Sequence, residues 1–148
     1  MSTFKALSFP VAALAALVLA GGEAAPANAA GVRFQCEDQF AGQDVSARAR
    51  FERNGARRKF TVEFEAAVRT SFRVGDILKV RVDDAGGVAR VIGQIRLVRG
   101  PRDLVGDLNF DTVPQADARP FPGNFPSGLG AGTEVQVGAK LACALQAR

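Results

Sequence analysis

The chain has 148 residues, 47% of them hydrophobic, with 19 Lys plus Arg against 15 Asp plus Glu for a net charge of +4, and it contains 11 Phe but no His, Trp or Tyr. The missing histidine removes the usual general base, the usual partner of a Ser or Cys nucleophile and the commonest zinc ligand. Without Trp, Tyr or a recognisable reading motif, the chain also lacks the stacking platforms of single-strand nucleic-acid binders.

In chain order, Lys5, the apolar run Ala6 to Ala20 and the small residues of "GGEAAPANAA" read as a secretory signal peptide over residues 1–29. Ala27, Asn28 and Ala29 fit a small-x-small cleavage site, with the cut before Ala30. An uncleaved anchor is the weaker reading, because the run is about fifteen residues and a spanning helix needs ~20. The residues before Cys36, "RFQ", do not suit a lipidated cysteine. Residues 30–148 are then one domain, secreted or periplasmic and not transmembrane after cleavage. Cleavage removes one charge of each sign, Lys5 and Glu23, so the balance stays at +4. So modest a charge favours an anionic envelope surface, glycan or lipid, over a specific partner. An oxidising compartment lets the only two cysteines pair, so a Cys36 to Cys143 disulfide is expected to pin the first strand to the last.

From Asp44 to Glu52 and from Lys59 to Ala66, apolar and polar residues alternate with a period of two, the pattern of half-buried strands. Between them Asn54-Gly55 signals a tight turn. A loop of four residues, Asn54 to Arg57, would set Glu52 opposite Lys59, Arg48 opposite Glu63 and Phe51 beside Phe60. Those pairings, each worth ~0.2–1 kcal/mol, favour it over the two-residue alternative.

Leu78, Val80 and Val82 alternate with Lys79 and Arg81 before the turn "DDAGG". Val88 to Val98 follows as a strand in which Gly93 marks a bulge or a close backbone approach. After "RGPRD", Leu104 to Thr112 forms the next strand, then comes the proline- and glycine-rich segment 113–132, and Glu134 to Val137 and Lys140 to Leu145 close the domain. Seven or eight short strands separated by turns predict an all-β antiparallel sandwich, immunoglobulin-like or jelly-roll-like, with a small β-barrel as the alternative.

The order "ARARFERNGARRKFTVEFEAA", "GDILKVRVDDAGGVARVIGQIRL", "GDLNFDTVPQ" and "GTEVQVG" resembles a loose group of secreted bacterial all-β domains of unassigned activity. In that group a Gly-x-Leu-x-Phe/Leu-Asp-Thr strand precedes a Pro-containing loop and a Gly-Thr/Asp-x-Val strand. The resemblance spans Ala47 to Gly138 and implies the fold; its motifs are structural and imply no activity. The cysteine flanks and "RPFPGNFPSGLG" lie outside it.

Chemistry has few places to reside. The sole Ser-x-x-Lys, Ser2 to Lys5, lies in the signal. Glu63 and Glu65 could be drawn as a glycosidase pair, but Arg48 and Arg50 across the hairpin are expected to neutralise them on a solvated face. "GLGAG", Gly128 to Gly132, lacks the following helix that a phosphate loop requires. Asp107, Asn109 and Asp111 mimic the start of an EF-hand loop, yet Thr112 replaces the turn glycine and Ala118 the closing Glu. They remain weak metal candidates, whereas a strand explains them as one outer face, with Asp111 and Thr112 capping it.

Two features suit binding. Phe121 and Phe125, held between prolines, would form either a preorganised contact surface or a plug over the core. Arg48, Arg50, Arg53, Arg57, Arg58 and Lys59 would form either an anionic-glycan patch or a solvated, edge-protecting face. The expectation is therefore a non-catalytic exported interaction or structural module, with no cofactor and no nucleic acid. Its partner would be an anionic envelope surface or a protein, and the alternative is a glycan- or metal-binding sandwich.

Overall fold

A computed structural model describes residues 31–83, 87–113 and 115–148; the segment read as a signal peptide and most of the "DDAGG" turn lie outside them. Ten strands follow one another: β1 (Val32–Gln39), β2 (Val45–Asn54), β3 (Arg57–Ala67), β4 (Ile77–Asp83), β5 (Ala89–Arg96), β6 (Val98–Arg99), β7 (Asp103–Asp111), β8 (Glu134–Val137), β9 (Leu141–Ala144) and β10 (Gln146–Ala147). They form two antiparallel sheets, six-stranded β10-β1-β2-β3-β7-β6 and four-stranded β5-β4-β8-β9, packed face to face as a β-sandwich. No helix among the described residues is long and apolar enough to cross a membrane.

Alternation decides which faces meet. Val45, Ala47, Ala49 and Phe51 on β2, and Phe60, Val62, Phe64 and Ala66 on β3, are all buried, while Arg48 and Glu63 between them are exposed. Leu78, Val80 and Val82 on β4 and Val135 and Val137 on β8 supply the facing layer. Burying one such side chain contributes ~1.5–3 kcal/mol relative to exposure, so this stripe of apolar residues carries most of the driving force.

The β2–β3 register is the expected one, with Glu52 opposite Lys59, Arg48 opposite Glu63 and Phe51 opposite Phe60. The turn is tighter than the expected loop of four, because pairing continues to Asn54 and Arg57. Only Gly55 and Ala56 remain, and Gly55 adopts φ 57°. A positive φ at the first central residue alone is the type II′ hairpin, whose twist suits the flanking strands.

The run Val88 to Val98 is two strands. β5 belongs to the four-stranded sheet and β6 to the six-stranded one, and the chain crosses between sheets at Leu97, which is fully buried. The Leu97 amide donates to the Asp76 carbonyl, and its carbonyl accepts from Gly75. Leu145 repeats the device between β9 and β10: it is fully buried, its amide donates to Thr133 and its carbonyl accepts from Gly132. Strands that switch sheets at bends make the corners of a sandwich. Since β5 does not pair with β6, nor β9 with β10, the corners leave two sheets and not a closed barrel.

Gly93 fulfils both readings of it. Register shifts beside it, Val80 facing Gly93 and Arg81 facing Val91, which is a bulge. A Cβ there would stand 2.7 Å from Leu108 Cδ2. Gly106 is its counterpart on β7, where a Cβ would collide with Ile95 Cγ2 and the Arg96 carbonyl. Two side-chain-free positions thus let β5 of one sheet approach β7 of the other.

The expected disulfide is present: Cys36 on β1 and Cys143 on β9 are bonded, with Cα atoms 5.7 Å apart and a sequence separation of 107. It joins the two sheets along the side where the Leu145 corner also crosses.

Candidate functional site

The outer face of the six-stranded sheet carries the arginines singled out from sequence. In register, Arg33, Glu52, Lys59 and Asp111 make one row, and Glu37, Arg48, Glu63 and Asp107 another. Arg48 lies opposite Glu63 as expected, but its guanidinium turns to Glu37 of β1, at 3.0 Å. Arg50 lies opposite Gln35 and Thr61 and not beside Glu65, and its buried Nε finds no hydrogen-bond partner among the described residues. Arg48 turns from Glu63 to Glu37 because β1 supplies an acidic neighbour on the other side of β2, whereas the β1 neighbour of Arg50 is the neutral Gln35. β2 and β3 are interior strands, so their charges protect no sheet edge.

A broad depression of about 340 Å³ on this face is lined by Glu37, Glu63, Glu65 and Asp107, with Arg48 as the sole cation of the described lining. At the hairpin tip Arg53 and Arg57 are exposed.

The tip, the end of β7 and the proline-rich segment meet at one end of the sandwich. Arg57 donates to both Asp111 carboxylate oxygens, at 3.2 and 2.7 Å, and the Val113 amide donates to Asp111 Oδ1 at 2.8 Å. The arginine hydrogen bonds, seconded by the Val113 amide, hold the Asp111 carboxyl below its ordinary pKa. Thr112 Oγ1 accepts from the Arg58 amide, completing the cap expected of this pair. Asn109 Nδ2 donates to Asp107 Oδ2, so Asp107 and Asn109 engage each other while Asp111 engages Arg57. The three do not converge.

Phe121 and Phe125 turn inward at the same end. Phe125 packs edge-on against Phe60 at 5.3 Å and against Phe121 at 4.6 Å, and Phe121 lies 5.7 Å from Phe110. Arg58 stacks over the Phe121 ring, its Cζ 5.0 Å from the centroid. Of the residues named from sequence, Phe121, Phe125, Arg57, Arg58 and Asp111 are brought together, while Arg48 and Arg50 lie farther down the sheet.

The opposite end is open. There the β1–β2 loop, the β3–β4 loop, the start of β4 and the β8–β9 turn surround a cavity of about 290 Å³, walled by Phe40, Val45, Phe72, Leu78, Val137 and Leu141. Each wall is fixed locally. The Phe40 amide donates to the Val45 carbonyl and Gln43 to Phe40, closing a tight loop. Phe72 stands edge-on to Phe64 at 5.1 Å, and Arg73 Nη1 donates to the Thr70 and Phe72 carbonyls. The Gly138 amide donates to the Lys79 carbonyl, tying the β8–β9 turn to β4. Ile77, 51% exposed, forms the lip.

Polar groups are few: Gln43, Ser71 and Lys140, whose ammonium lies 5.4 Å from the Phe40 ring centroid. Lys140 is the only titratable side chain among the described lining residues, and no hydrogen bond joins it to Ser71. An apolar hollow with a few polar groups at its mouth is the usual form of a small-molecule site.

Sequence reasoning did not find this end. Phe40 and Phe72 sit in turn-rich stretches outside the alternation and lack the flanking prolines that drew attention to Phe121 and Phe125. Comparison of the chain with protein-family models, with curated proteins and with solved structures finds no match in any of the three.

Proposed function

We propose that the protein is an exported, non-catalytic binding module of the envelope or extracellular space, holding a small apolar molecule in the cavity between the β1–β2, β3–β4 and β8–β9 connections. The observation that carries this is the asymmetry of the two ends: aromatic rings fill one, and the other leaves about 290 Å³ of apolar space with hydrogen-bonded walls. Walls fixed before binding reduce the ordering penalty on association. The non-catalytic part is supported by the chemistry at the cavity, where one lysine stands without a titratable partner among the described lining residues, in a chain that contains no histidine. Export is supported by the leader and by a disulfide that oxidising compartments favour.

Titration of the mature protein with 1-octanol, followed by methyl NMR, tests the cavity. Saturable shifts confined to Leu78, Val137 and Leu141 are expected, and Ile77→Trp at the lip should weaken them roughly tenfold or more by filling the space. Shifts spread over the surface, or none, would sink the assignment. Intact mass of protein exported from a host cell should begin at Ala30.

A further inference from the structure

We propose that the natural ligand is a singly charged anionic amphiphile of about ten heavy atoms, a medium-chain carboxylate in chemical class, whose tail fills the cavity while its head group sits on Lys140. This rests on the cavity assignment above and adds the identity of the occupant.

Size is the first argument. A cavity of about 290 Å³ has room for roughly ten groups the size of water, at ~30 Å³ each, the scale of an eight- to ten-carbon chain. Shape agrees with it. The inner wall is aliphatic and aromatic, from Leu78, Val137, Leu141, Phe40 and Phe72, and provides no partner for a buried polar group. A ligand polar along its length, such as a sugar, would leave hydroxyls unsatisfied there, at a substantial desolvation penalty each. Only the mouth can accept a polar group.

Charge selects the head. Lys140 is the sole charged residue of the described lining, stands exposed at the mouth on the β8–β9 turn, and makes no ion pair among the described residues. Its ammonium lies over Phe40, so the ring that walls the cavity also places the charge at the entrance. An ammonium is a compact point charge with three donors, suited to a carboxylate. Gln43 and Ser71, at the same mouth, add neutral hydrogen-bonding groups. A cationic amphiphile would meet like charge, and a neutral one would leave the ammonium unused.

The test compares octanoate, 1-octanol and octyltrimethylammonium, all below their micellar concentrations, by calorimetric titration of the mature protein and its Lys140→Gln and Lys140→Glu variants. Octanoate should bind the wild type about five- to tenfold tighter than octanol, the scale of one partly solvated ion pair. That preference should shrink in 1 M salt. Lys140→Gln should bring octanoate to the level of octanol, lowering octanoate affinity several-fold more than octanol affinity, and Lys140→Glu should make the ammonium compound the preferred ligand. Equal binding of octanoate and octanol by the wild type would overturn the head-group assignment and leave the cavity standing, as would a Lys140→Gln variant that loses both ligands alike. Binding of none of the three compounds would overturn the cavity assignment itself.

Discussion

The Asp111 side chain is fully covered, with Arg57 donating to both oxygens and the Val113 amide to one. Because its folded pKa lies below the ordinary carboxylate value of about 4, the ionised form binds better in the folded state, and its stabilisation is present above that value. It is lost as pH falls through the lower, folded pKa. Asp111→Asn should therefore destabilise the protein by a constant amount from pH 7 down to about 5. The difference from wild type should then close below about pH 4 in urea unfolding series. A gap that stays open at pH 2 would mean that packing, not charge, explains the residue. The sequence placed Asp111 correctly as a strand cap, since Asp followed by Thr at a strand end is a local signal. Its burial under Arg57 was not legible, because the two are 54 positions apart and meet only through the register of β3 with β7.

Elements meet where side chains permit it. At Gly106 the obstacles to a Cβ include the Arg96 carbonyl, which is backbone and cannot swing aside, whereas at Gly93 the nearest atoms are Leu108 methyls. Gly106→Ala should cost about 1–3 kcal/mol by overpacking, and Gly93→Ala distinctly less, as read from urea midpoints at constant m. Equal effects would show that the two glycines do not differ in this way.

The proline-rich segment is an element of the same kind, held by contacts and not by a ladder. Phe121 and Phe125 are half-buried, so Phe121→Ser and Phe125→Ser should each cost about 2–3 kcal/mol, below the range for fully buried rings. Octanol binding at the far end should not change. Stability unaltered by both substitutions would instead make the rings a contact surface. Sequence favours the plug over the surface, because a small domain seldom leaves two phenylalanines in water, although prolines hold a phenylalanine rigid whichever way it points.

At the scale of the molecule, one disulfide and two buried leucine corners hold the sheets together. The Cys36–Cys143 bond spans 107 positions, so the Cys36→Ser/Cys143→Ser double variant should lose about 4–5 kcal/mol in the chain-entropy account. Hydrogen exchange should then rise first in β9 and β10, which the bond and the Leu145 corner anchor together. Two free thiols in the native, oxidised protein would contradict the bond outright.

The sequence by itself determined the central alternating strands, the hairpin register and the cysteine pairing. A period of two, a cross-strand charge match and a count of two cysteines are properties of short stretches or of simple arithmetic. Only the tertiary structure decided where the chain changes sheet, because Ile95, Arg96 and Leu97 alternate as one strand would, and the adjacent apolar pair Leu97 and Val98 does not say that the chain passes from one sheet to the other. It alone decided that Arg48 faces Glu37, since that depends on which strand lies on the other side of β2. It also decided the cavity: Phe40, Phe72, Leu78 and Leu141 come from four separate segments, and no local pattern records that folding brings them to one open end while two other phenylalanines close the opposite one.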